Sequence, residues 1–281
     1  MWGFTGIIVY LSKTESIVLT FYRLWIATTI MVLALLLSRR RLSWHVLLRA
    51  APAGVLLGVN LTCYVFAFRL TTIADASVIG ALQPALVMIV AALMFGELVG
   101  VREIVLTAIA IIGVVGVVAG PRVSIGTHAT GDLLAVIGTL AFAGYWLVAK
   151  SARVQLPTFE FMAGVWITAA IGITPITLIS GKSLSVVTAT SWLWIVALAV
   201  VPGIGHLLMN WGHRFVEASV SSVISITNAA VAAVAALVIL GQPLSLIQIC
   251  SGSVAMGAIA LVARGRRKPL EAGVDPIGVP D

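Results

Sequence analysis

The chain has 281 residues, of which 60% are hydrophobic and 10% charged, with a formal net charge of +7 and a mean hydropathy of +1.14. A soluble domain carries about a quarter charged residues, so that class is excluded. The basic residues lie between apolar runs instead of forming one face, which excludes a nucleic-acid groove and suits orientation in a bilayer.

Apolar runs of roughly twenty residues recur along the whole length, each enough to cross a hydrocarbon core about 30 Å thick. Strand-like alternation is absent, so an outer-membrane barrel is not expected. The fold class is an all-α polytopic membrane protein. Spans are expected at 1–12, 17–38, 46–68, 74–95, 102–119, 131–150, 158–180, 190–212, 218–240 and 244–263. Between them stand charges or turn formers: Arg39-Arg40-Arg41, Gly96-Glu97, Gly120-Pro121, Gln155-Leu156-Pro157, Gly181-Lys182 and Gly241-Gln242-Pro243.

The first span is short, and residues upstream of Met1 are expected to complete it. The second contains Arg23, the one cation well inside a span. It either grips a substrate carboxylate through both nitrogens or snorkels outward. In the third span Ala50, Gly54 and Gly58 follow the small-xxx-small spacing that lets helices approach closely. Asn60 and Tyr64, four apart, share a helical face there. In the fourth, Gln83 precedes Pro84, whose missing N–H frees a carbonyl in mid-helix.

Trp146 lies a few residues inside the sixth span and Trp166 inside the seventh, whereas Trp44, Trp192 and Trp194 fit interface anchors. The eighth span holds Pro202-Gly203-Ile204-Gly205 followed by His206, Asn210 and Trp211. A break followed by polar side chains is the interrupted-helix pattern found near transporter sites. Ser221, Ser225 and Asn228 recur at helical spacing in the ninth. Cys63 and Cys250 fall inside spans as packing thiols.

Polar groups inside a membrane are expensive and need partners. The substrate-binding candidates are therefore Arg23, Asn60, Tyr64, Gln83, Trp146, His206, Asn210, Trp211 and Asn228. The candidate gates are Pro84, Pro202, Gly203 and Gly205. The competing reading is that Asn, Ser and Thr merely hydrogen-bond a neighbouring helix, at about 0.6 kcal/mol each.

With the N-terminus inside, twelve Lys and Arg residues fall on the cytoplasmic side and four on the other. Both termini are therefore expected in the cytoplasm. The residues from 69 to 97 align without a gap on those from 214 to 242, with seven identities in twenty-nine positions. Five spans per unit reverse the second copy. The expected architecture is ten transmembrane helices in two inverted five-helix repeats, 1–120 and 131–265, with a disordered tail at 266–281.

The run AFRLTTIADASVI from Ala67 to Ile79, Pro84 in mid-helix and the closing Gly96-Glu97 resemble the repeat signature of the drug/metabolite transporter superfamily, EamA type. Trp2-Gly3 and Ala143-Gly144-Tyr145-Trp146 resemble the starts of its two repeats. Within it, the chain is most similar to the YddG branch of exporters of aromatic and other amino acids. The second repeat departs from the signature, with Ala229 for the proline and Gln242 for the glutamate.

The resemblance implies an exporter or facilitator in the bacterial inner membrane, moving aromatic or other neutral amino acids by alternating access. The alternatives are export of another metabolite or drug, or a channel. No carboxylate sits deep in a span, so facilitated movement without a proton relay is expected. Neither a metal-binding cluster nor a nucleophile–base pair is apparent, so no metal, no cofactor and no enzyme activity are expected. A small-molecule substrate and the lipid bilayer are the expected partners, and a monomer suffices.

Overall fold

A computed structural model describes residues 2–83, 85–87, 100–119, 128–153, 156–186, 188–212, 218–242 and 244–265. Pro84, Gly96-Glu97, Arg214 and the tail from 266 lie outside the described residues, as do the side chains of Ser221 and Ser225.

A 3-10 turn, Trp2–Phe4, leads into α1 (Thr5–Ser12). There follow α2 (Ser16–Leu37), α3 (Trp44–Leu70) and α4 (Ile73–Gly80). The remaining helices are α5 (Val101–Ala119), α6 (His128–Arg153), α7 (Thr158–Ile179), α8 (Ala189–Gly212), α9 (Ala218–Leu240) and α10 (Leu246–Gly265). No strand occurs among the described residues. The helices at Ser16–Leu37, Trp44–Leu70, His128–Ala152, Thr158–Ile179 and Ala189–Trp211 are each long and apolar enough to cross a membrane. Large side chains such as Leu37, Ile179 and Val238 cover the outside, as lipid requires, while polar side chains such as Asn60, Gln83 and His206 turn inward.

Small residues set the packing at the centre. A Cβ on Gly54 would lie 2.6 Å from the carbonyl oxygen of Val165, and one on Gly164 would lie 2.7 Å from the Cβ of Ala50. The seam foreseen at Ala50, Gly54 and Gly58 thus seats α3 directly on α7. Its other side packs on α6, where a Cβ on Gly138 would meet the Tyr64 ring at 2.8 Å. Further out, α5 pairs with α10 through Gly113 and Gly116 against Ala255 and Ser251.

One end of the bundle is closed by a polar layer. Arg69 Nη2 donates to the carbonyls of Val9 and Thr14 and to Ser12 Oγ, at 2.7, 3.0 and 2.9 Å. Thr71 Oγ1 donates to Asp132 at 2.7 Å, and Gln248 Nε2 donates to Asp75 at 2.9 Å. Gln242 accepts the Ile73 N–H at 3.2 Å. It thereby satisfies an orphan donor at the start of α4. Asp75 and Asp132 lie close to helix ends, as their sequence positions suggest, yet both are buried.

Two expectations need correction. The helix break at Pro202-Gly203-Ile204-Gly205 is absent, because α8 runs unbroken from Ala189 to Gly212. A single proline removes one backbone bond, and helices flanked by other helices tolerate that. The fourth span does break, but ahead of Pro84: α4 ends at Gly80 and a turn occupies Ala81 and Leu82. A proline offers no N–H to the carbonyl four residues earlier and its ring clashes with it; for Pro84 that carbonyl is Gly80's, where α4 ends.

Candidate functional site

The helices line a partly open cavity of about 140 Å³. The 3-10 turn supplies Trp2 and Gly3, α2 supplies Arg23, and α3 supplies Asn60, Tyr64 and Phe68. Ser77, Gly80 and Gln83 come from α4 and the segment after it, Phe142 from α6, His206 from α8, and Asn228 with Ala229 and Ala232 from α9. Residues as far apart in sequence as Trp2 and Ala232 therefore meet around one space.

The polar groups are held in different ways. Asn60 Nδ2 donates to the carbonyl of Gly138 at 2.9 Å, which fixes the amide. The Tyr64 hydroxyl lies 2.8 Å from Thr139 Oγ1. Thr139 donates its own proton to the Ala135 carbonyl at 2.7 Å, so Tyr64 is the donor of the pair. Arg23 is only 2% exposed and makes no hydrogen bond or ion pair among the described residues. Gln83 is buried, and His206 Nδ1 has no hydrogen-bond partner among the described residues.

An aromatic wall faces these groups. Ring centroids of Trp2 and His206 are 4.9 Å apart, those of Trp2 and Phe142 5.8 Å, and those of Phe142 and His206 5.9 Å. The last two pairs are edge-to-face, a favoured geometry worth about 0.5–1.5 kcal/mol beyond area burial. Trp2 Nε1 donates to the Pro202 carbonyl at 3.1 Å. Gly205 leaves room for that ring, since a Cβ there would stand 2.7 Å from Trp2 Nε1.

Six of the nine expected binding residues line the cavity: Arg23, Asn60, Tyr64, Gln83, His206 and Asn228. Three do not. Trp146 is buried behind the wall, edge-on to Phe142 at 6.1 Å. Asn210 is buried one turn from His206 and donates to the Tyr145 hydroxyl at 2.6 Å and to the His206 carbonyl at 2.9 Å. Trp211 is 56% exposed on the outer surface. Among the expected gates, Pro202 and Gly205 touch Trp2, whereas a Cβ on Gly203 meets nothing within 4 Å.

Sequence reasoning missed Trp2 as a lining residue, and Phe142, Phe68 and Ser77 altogether. A signal existed for Phe142, which stands four residues before Trp146 on the same helical face.

The model of the EamA-like transporter family matches residues 1–119 and again residues 129–264. The chain belongs to that family. It is accordingly a multi-pass membrane protein of the drug/metabolite transporter superfamily that transports small molecules, in a family whose members are transporters and not enzymes. No curated protein matches the sequence. Among solved structures 29 chains match. One crystal structure shares 21% identity and covers 94% of this chain and 94% of its own, with a TM-score of 0.68. At that identity the likeness concerns the EamA fold alone.

Proposed function

We propose that this EamA protein is an inner-membrane exporter or facilitator of small metabolites, with aromatic and other neutral amino acids as the leading class, as in the YddG branch. The cargo binds in the central cavity, and access alternates between two inverted five-helix repeats, 1–120 and 131–265. Both termini face the bacterial cytoplasm, and no further protein is required.

The observation that carries this reading is the makeup of the cavity wall. Trp2, Arg23, Asn60, Tyr64 and Gln83 come from the first unit, and Phe142, His206 and Asn228 from the second. A site shared by two repeats opens to either side when one unit rocks against the other. Its depth also fits. Trp2 lies ten residues before Ser12, about 15 Å along a helix, which is half the thickness of the hydrocarbon core.

The test is uptake into proteoliposomes by a panel of amino acids, nucleosides and organic cations. Saturable flux with mutual competition among cargoes is expected, lowered by Asn60→Ala and Phe142→Ala. Flux that rises linearly with concentration, without competition, overturns the carrier in favour of a pore.

A further inference from the structure

Arg23 is a buried cation without a counter-ion among the described residues. It lines the cavity, and no hydrogen bond or ion pair engages it among the described residues. Arginine keeps its charge in proteins, and a charge held away from water needs a partner. No Asp or Glu is among the described residues that line the cavity. Asp75 and Asp132 are held elsewhere, by Gln248 and Thr71. An anionic group on a bound molecule would supply the partner that the described residues do not.

The other walls restrict which anion. The aromatic cluster of Trp2, Phe142 and His206 presents a surface suited to a planar ring. The volume, about 140 Å³, is close to the roughly 150 Å³ of a cavity that takes one benzene molecule, so it has room for a single ring, and the pocket is open enough for a short side chain to extend from that ring. The planar guanidinium fork matches a carboxylate with two parallel hydrogen bonds. An ammonium group, by contrast, would sit close to Arg23, with no lining carboxylate among the described residues to offset it. The amides of Asn60, Gln83 and Asn228 offer it dipoles but no counter-charge.

We infer that the preferred cargo is an aromatic monocarboxylate, held at its carboxylate by Arg23 and at its ring by Trp2 and Phe142, with an α-ammonium group counting against binding. This rests on the cavity being the transport site, and it departs from the amino-acid reading above by ranking each amino acid behind the matching carboxylate that lacks the ammonium group.

Three probes that share a phenyl ring test it: phenylpropionate, L-phenylalanine and phenethylamine, titrated calorimetrically into the purified protein at neutral pH. Phenylpropionate is expected to bind about tenfold tighter than phenylalanine, and phenethylamine weakest. Arg23→Gln is expected to abolish the order while keeping or raising the melting temperature, because it removes a buried unpaired charge. Arg23→Lys keeps the charge but loses the fork, so the order persists with weaker binding; it also carries the test where the glutamine variant does not fold. Phenylalanine binding as tightly as phenylpropionate, or an equal loss for all three probes in Arg23→Gln, overturns the inference. Equal binding of all three that Trp2→Ala weakens leaves the cavity as the site and removes only the carboxylate preference. Failure of all three to bind, and to compete with any transported cargo, removes the cavity assignment as well.

Discussion

Trp2 Nε1 donates to the carbonyl oxygen of Pro202 at 3.1 Å, joining the turn before α1 to the middle of α8. That bond aims the indole across Gly205 and onto His206, so one tryptophan closes the cavity between two distant parts of the sequence.

Trp2→Phe keeps a ring but removes the bond, and its expected effect is a raised KM with kcat nearly unchanged. Trp146→Phe, behind the wall, is expected to leave KM alone. Trp146→Ala instead empties a buried site, at a cost of about 3–5 kcal/mol in stability. Initial-rate uptake and melting in detergent separate the two residues; equal KM shifts for Trp2→Phe and Trp146→Phe refute the assignment.

Gly205 and Gly203 stand two residues apart with opposite surroundings. Gly205→Ala sets a methyl against the Trp2 ring and is expected to lower flux. Gly203→Ala meets open space and gains helix propensity of up to about 1 kcal/mol, so its flux holds and its melting temperature rises slightly. The reverse order rules out a close-approach role for Gly205.

Gly54 is the tightest point of the α3–α7 seam, 2.6 Å from backbone for any added Cβ. Backbone cannot swing aside as a side chain can. Gly54→Ala is expected to destabilise the protein by about 1–3 kcal/mol, and Gly172→Ala, with nothing within 4 Å, to leave it unchanged or slightly stabilised. Thermal melts of the two single variants decide this, and similar melts would sink it.

The Tyr64–Thr139 hydrogen bond is measurable by a double-mutant cycle with Tyr64→Phe and Thr139→Val. Bonds between membrane helices couple by about 0.6 kcal/mol and rarely beyond ~1.7. A value in that range makes the pair a fastener that holds a lining ring in place, and no detectable coupling dismisses it.

Collapse of a pH gradient across proteoliposomes is expected to leave initial uptake unchanged, since no Asp or Glu is among the described lining residues. Strict dependence on the gradient would point to Asp75 or Asp132 as a relay and overturn the facilitated mode.

Much of the fold was legible because membrane helices announce themselves by composition. The expected 158–180 became Thr158–Ile179, and 218–240 became Ala218–Leu240. The polar part of the site was legible for the same reason: Asn60, Gln83 and His206 are conspicuous among Leu, Val and Ala. The aromatic part was not. A tryptophan is equally at home against lipid and against a cavity, so the choice of Trp211 over Phe142 turned on helix rotation. Rotation is set by contacts such as Gly138 against Tyr64 and Gly164 against Ala50, which join residues 74 and 114 positions apart in sequence. The break before Pro84 was partly visible, since proline marks a disturbance without fixing on which residue the helix ends.

The Arg69 staple bears on how the molecule is made. The carbonyls of Val9 and Thr14 stand at and just beyond the end of α1, where a helix has no amides of its own left to offer. The Ser12 hydroxyl serves the Val9 carbonyl locally, at 2.8 Å, but the donor to Thr14 is encoded 55 residues later. At a synthesis rate of about 5–20 residues per second, this segment waits roughly 3–11 s for Arg69 to emerge. During that interval water must serve the Thr14 oxygen, so the end of α1 stays at the bilayer surface until α3 arrives. Seating of the first helix is then one of the later events of membrane insertion.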